Sequence, residues 1–160
     1  GIVEDAVIAA SESQAKDLWR IRETIPEAQK SEGGLIKHDV AVPVSRVPEF
    51  VDRATALMTK ELPGCRVVAF GHVGDGNIHF NISQAVGEDT SIFIAQSDRI
   101  NRLVHDLVEG MDGTFSAEHG IGEVKRSDLA RYKSSVEVNM MRGIKALFDP
   151  ESIMNPGKVL

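Results

Sequence analysis

Arg66-Val67-Val68-Ala69-Phe70-Gly71-His72-Val73-Gly74-Asp75-Gly76-Asn77-Ile78-His79-Phe80-Asn81-Ile82-Ser83 is two β-rich runs around a Gly-rich turn. Val73-Gly74-Asp75-Gly76 has turn composition, so 66–72 and 77–83 are expected to pair as a hairpin. Upstream, 35–43 alternates. Ile36, His38, Val40 and Val42 share one face; Leu35, Lys37, Asp39 and Ala41 share the other. Between them, 45–62 has a helical stripe of Phe50, Val51, Ala54, Leu57 and Met58, stopped by Pro63-Gly64. Downstream, 91–109 repeats the helical period through Ile100, Leu103, Val104, Leu107 and Val108, and Gly110 is its expected stop. A short strand is expected over 113–117. The order from 35 to 117 is β-α-β-β-α-β. That predicts an α+β fold: a ferredoxin-like antiparallel sheet with helices on one face.

An N-terminal helix precedes this core. Ser13 is its expected cap, and Ala15, Leu18, Trp19, Arg22 and Ile25 form its stripe. C-terminal helices and a tail occupy 123–160. The second of these helices opens on a capping box, Ser134 with Glu137, and ends at Asp149-Pro150. Ile153 to Leu160 reads as an extended tail. No repeat or low-complexity tract interrupts the chain.

A chain of 160 residues, 42% hydrophobic and 26% charged, is expected to form one folded domain. Eighteen Lys and Arg against 24 Asp and Glu give a net charge of −6. That argues against a nucleic-acid surface but leaves room for a local basic pocket. Cys65 stands alone, so no intrachain disulfide forms, and a reducing, cytoplasmic setting is expected. No apolar run reaches the ~20 residues of a membrane helix. The chain opens Gly-Ile-Val-Glu rather than with Met, which suggests a piece of something longer.

Three groups of residues carry possible chemistry. His72 and His79 bracket the hairpin turn, whose flanks lie one strand spacing apart, ~4.8 Å, so the imidazoles could share a divalent metal. The plainer reading is a polar hairpin with two ordinary histidines. Glu118-His119, flanked by glycine at a strand end, offers a third ligand, Glu118, and a proton acceptor, His119; a surface turn is the alternative. Gly120-Ile121-Gly122 lacks the third glycine of a dinucleotide loop. Arg22, on the Leu18–Trp19 stripe, and Lys37, in a strand, could hold a substrate acid, or Arg22 could pair with a protein carboxylate. An ideal β-α-β-β-α-β unit places the hairpin and the end of the last strand at opposite ends of the sheet. Glu118 would then struggle to reach His72 and His79.

Gly71-His72-Val73-Gly74-Asp75-Gly76-Asn77-Ile78-His79, Ala117-Glu118-His119-Gly120-Ile121-Gly122 and Phe148-Asp149-Pro150-Glu151-Ser152-Ile153-Met154-Asn155-Pro156-Gly157-Lys158 occur in that order. With Leu18-Trp19-Arg20-Ile21-Arg22-Glu23 ahead of them, they make the sequence resemble the C-terminal region of FAD-linked oxidases of the vanillyl-alcohol-oxidase type. The nearest branch is the D-2-hydroxyacid dehydrogenases, which include D-lactate and D-2-hydroxyglutarate dehydrogenases and the glycolate oxidase flavin subunit. The resemblance implies His72, His79 and Glu118 as metal ligands, for zinc or manganese, and His119 as base. It implies Arg22, Lys37 and Asn81 at the substrate and Asn155 near the flavin. It also implies that residues 1–160 are a substrate-binding cap domain. FAD would be held mainly by a separate N-terminal domain or a partner subunit, without which no turnover is expected. A small 2-hydroxyacid and a downstream electron acceptor are the other expected partners, and a homodimer is compatible with it. Two other readings stay open: a ligand- or metal-binding regulatory module without catalysis, and a free-standing metallohydrolase.

Overall fold

The computed structural model describes residues 3–160. Its helices are α1 (Glu12–Glu23), α2 (Ile25–Ala28), α3 (Val47–Glu61), α4 (Thr90–Ile94), α5 (Ser97–Glu109), α6 (Arg126–Tyr132) and α7 (Ser135–Phe148). Its strands are β1 (Leu35–Ala41), β2 (Arg66–His72) and β3 (Asn77–Ser83), antiparallel in the order β1-β3-β2. The fold is α+β.

Register follows from the turn. His79 of β3 lies opposite Asp39 on one side and Phe70 on the other; Asn81 lies opposite Lys37 and Val68. Side chains alternate across a strand, so these registers sort the sheet into two faces. Ile36 and Val40 of β1 join Ile78, Phe80 and Ile82 of β3 in the buried core, with Phe50, Ala54 and Met58 of α3 and Ile100, Val104 and Val108 of α5. Phe50 meets Phe80 edge-on at 5.6 Å. The opposite face carries Lys37, Asp39, Phe70, His72, His79 and Asn81.

Gly76 closes the hairpin at φ +73°, and a Cβ there would sit 2.0 Å from the Val42 carbonyl. Only glycine meets both demands. The turn is thereby locked to the chain leaving β1, since the Val42 N–H donates to the Gly76 carbonyl at 3.1 Å.

The expected last strand over 113–117 shrinks to one bridge, Thr114 with Ala41, on the outer edge of β1. Ala117 still donates to the Asp39 carbonyl at 3.1 Å. There the ladder ends, because the Ser116 hydroxyl turns to the Gly120 carbonyl at 2.7 Å and curls the chain off the sheet. The early exit leaves Glu118 beside the middle of β1 rather than at the far end, which removes the obstacle foreseen from the ideal topology.

Other boundaries shift as well. Ser11, not Ser13, caps α1. That helix buries none of its residues, and Leu18 and Trp19 are exposed rather than inward. The helix expected over 91–109 is two, α4 and α5, and the Ser97 hydroxyl donates to the Ile94 carbonyl at the join. The capping box of α7 forms as read. The tail is bent rather than extended. The buried Asp149 carboxylate accepts the N–H groups of Ile153 and Met154, at 2.9 and 3.1 Å, and Val159 donates to the Gly122 carbonyl at 2.6 Å. Helix α7 leaves Val136, Met140, Ile144 and Leu147 exposed.

Candidate active site

The face of the sheet turned away from α3 and α5 forms the floor of a cleft of about 330 Å³. Lys37, Asp39, Phe70, His79 and Asn81 rise from the floor; Glu118, His119 and Lys125 stand along one side, and Pro26 of α2 closes another. Asn81 is buried and fixed, its amide donating to Gln29 Oε1 at 2.9 Å. Gln29 Nε2 is buried without a protein partner. Lys125 donates to the Phe115 carbonyl and the Ser116 hydroxyl, both at 3.1 Å, and so braces the segment leading to Glu118.

Glu118 is the meeting point. One carboxylate oxygen lies 2.8 Å from His72 Nδ1, and the other lies 3.6 Å from His79 Nε2. The rings of His72 and His79 are 6.3 Å apart. His119 stacks on His79 with ring centres at 5.8 Å and is two-thirds exposed to the cleft (67%). Burial is the main influence lowering the His79 pKa, against the pull of Asp39 and Glu118, so its imidazole is held neutral. A neutral imidazole is the form that ligates metal.

Asp39 escaped the sequence reading. Its Oδ2 accepts the N–H groups of Glu118 and His119, both at 2.8 Å, and its Oδ1 accepts the Asn77 amide at 2.9 Å. Burial alone would raise this carboxyl; the N–H groups of His119 and Glu118 and the Asn77 amide together hold it below the usual range. Asp39, His79, Glu118 and His119 each offer a donor atom, all within 4.8 Å of one another. Two imidazoles and two carboxylates are a donor set suited to zinc, manganese or iron. His72 stands outside this tight group and reaches it through Glu118.

Of the residues expected at the substrate, Lys37 and Asn81 line the cleft, and Arg22 stands next to it over Phe70. Arg22, half-buried, lays its guanidinium over the Phe70 ring at 4.7 Å and makes no ion pair among the described residues. Lys37 is exposed and likewise makes none among them. Asn155 lies elsewhere, in a hollow beside Met141 and Ile144 of α7 that shares no lining residue with the cleft.

Residues 1–159 match the family described as FAD linked oxidases, C-terminal domain. The chain belongs to that family. The D-2-hydroxyglutarate dehydrogenase of Xanthomonas citri pv. viticola is 42% identical over 159 residues, 99% of this chain and 34% of the relative. That of Stutzerimonas stutzeri is 40% identical over the same shares. The mitochondrial D-2-hydroxyglutarate dehydrogenase of Arabidopsis thaliana is 38% identical over 160 residues, all of this chain and 27% of the relative. The chain spans about a third or less of the curated relatives it matches. Among the described residues of this FAD-linked oxidase domain, no helix is long and apolar enough to cross a membrane.

Proposed function

We propose that this domain is the substrate- and metal-binding side of a flavin-dependent dehydrogenase that oxidises a D-2-hydroxyacid, D-2-hydroxyglutarate above all, to the 2-oxoacid. The observation that supports this most is the convergence of Glu118 on two imidazoles beside an accessible third, in a cleft lined by Lys37 and Lys125 with Arg22 next to it, none of the three ion-paired among the described residues. His72, His79 and Glu118 would hold a divalent ion, zinc or manganese. When bound, the metal supplies Lewis acidity towards a substrate hydroxyl and FAD supplies the acceptor for the C2 hydride.

The chain's own residues do the rest. His119, open to the cleft, takes the hydroxyl proton. Arg22 and Lys37 neutralise and orient the substrate's carboxylates; two cations suit a diacid. Asn81, clamped by Gln29, offers a fixed polar contact beside them. Residues 1–160 act as the cap domain, and FAD sits mainly in protein outside this chain. The uncovered apolar faces of α1 and α7 are where that protein packs, and Asn155, on the α7 side, lies towards the flavin. A further electron acceptor reoxidises the flavin.

Calorimetry of the zinc-loaded protein with D-2-hydroxyglutarate and D-lactate tests this reading. Binding of the diacid should weaken at least about tenfold in Lys37→Ala, the loss of one charge-assisted contact, while the monoacid is affected less. Equal effects on both acids, or no binding of either, would refute the assignment.

A further inference from the structure

Asp39 is a carboxylate with only 3% of its side chain exposed, and such a group persists only when its oxygens are bonded. Two backbone N–H groups and one amide satisfy it from three sides. Its remaining edges face the Nδ1 atoms of both His79 and His119, each at 3.7 Å. These are long for hydrogen bonds but close enough to bias which nitrogen carries the proton.

We infer that Asp39 is a positioning residue with two tasks, resting on the function proposed above. It pins the Glu118–His119 turn to β1, and it holds both imidazoles with the proton on Nδ1. A carboxylate only accepts, so the nitrogen facing it is the N–H. Both Nε2 lone pairs then point away from Asp39: that of His79 for the metal, that of His119 for the substrate proton. Glu118 competes for His79 from the Nε2 side at 3.6 Å, but it is 40% exposed and shared with His72, whereas Asp39 is buried and fixed. Orienting partners of this kind are worth about 10–100-fold in metal affinity.

Asp39→Asn separates the tasks. The amide oxygen keeps the two backbone N–H bonds of the turn. The amide nitrogen falls opposite His79 Nδ1 and the Asn77 amide. Asn77 can turn to meet it, because its own Oδ1 is buried without a partner. His79 meets it only by moving its proton to Nε2, which removes the metal-facing lone pair.

The experiment is imidazole nitrogen NMR of the metal-free protein near pH 8, with zinc titration of wild type and Asp39→Asn. The account expects Nδ1–H at His79 and His119 in the wild type and zinc affinity lower by about 10–100-fold in a folded variant. Nε2–H at His119 in the wild type, or a folded variant binding zinc within about threefold of wild type, would overturn it. A wild type that takes no zinc would sink the metal assignment of the proposed function instead. The wild-type His119 proton position, which needs neither metal nor variant, would then decide the inference alone.

Discussion

Mild acid should destabilise this domain through one histidine that does no chemistry. The His38 ring lies on the helix side of the sheet, 3% exposed, edge-on to His105 at 5.8 Å. Its Nδ1 donates to the Phe80 carbonyl at 2.9 Å, and its Nε2 is buried without a partner. A second proton, on Nε2, would put a charge in the core; burial, aided by His105 and Lys125 and only partly offset by Phe80 and Asn101, pushes the pKa from 6.5 down to about 4. The unfolded chain takes the proton near 6.5; the folded one resists until about 4. Stability is therefore complete above 6.5 and falls as the pH drops towards 4. That gap, at 1.36 kcal/mol per pH unit, gives about 3 kcal/mol, a large share of the 5–15 kcal/mol of an ordinary domain. Urea unfolding followed by circular dichroism, near pH 7.5 and near pH 4.5, reads it out above the range where Asp39 and Asp149 protonate. His38→Leu should cost about 1 kcal/mol at the higher pH, for the lost hydrogen bond. It should lose about 2–3 kcal/mol less than wild type on acidification. His105, also lowered chiefly by burial, remains in both proteins and contributes alike. Equal losses in wild type and variant would refute the reasoning.

Two further outcomes follow from the same geometry. Gly76→Ala must adopt a left-handed backbone and displace the Val42 carbonyl, so equilibrium unfolding should show a loss of at least ~2 kcal/mol. Asp149→Ala frees the Ile153 and Met154 N–H groups, and limited proteolysis should then cut within 150–160 ahead of any cut in the core; unchanged resistance there would contradict the capping role.

The hairpin was readable because a continuous apolar run, Val67 to Phe70, and an alternating one, Ile78 to Ile82, flanked a turn that only glycine satisfies. Parity then placed Lys37, His79 and Asn81 on one face. The same parity puts Asp39 on that face, and the β1–β3 register of the structure sets it opposite His79. That signal was present but unused, because an acid in an alternating strand reads as solvent-facing. What filled the space above it was a loop some 80 residues downstream, and no local pattern encodes that approach. The α1 stripe was real as a period and misleading as burial: amphipathicity states that a helix wants a partner, not that the partner lies in the same chain. The truncated last strand turned on the Ser116 hydroxyl, a competition between side chain and ladder that propensities do not resolve.

The most direct test of the central claim is elemental analysis of the purified protein beside His79→Ala. About one divalent ion per chain, lost in a variant that keeps its fold, is the predicted result. No ion in the wild type after exposure to zinc and manganese, or full retention in the variant, would contradict the account.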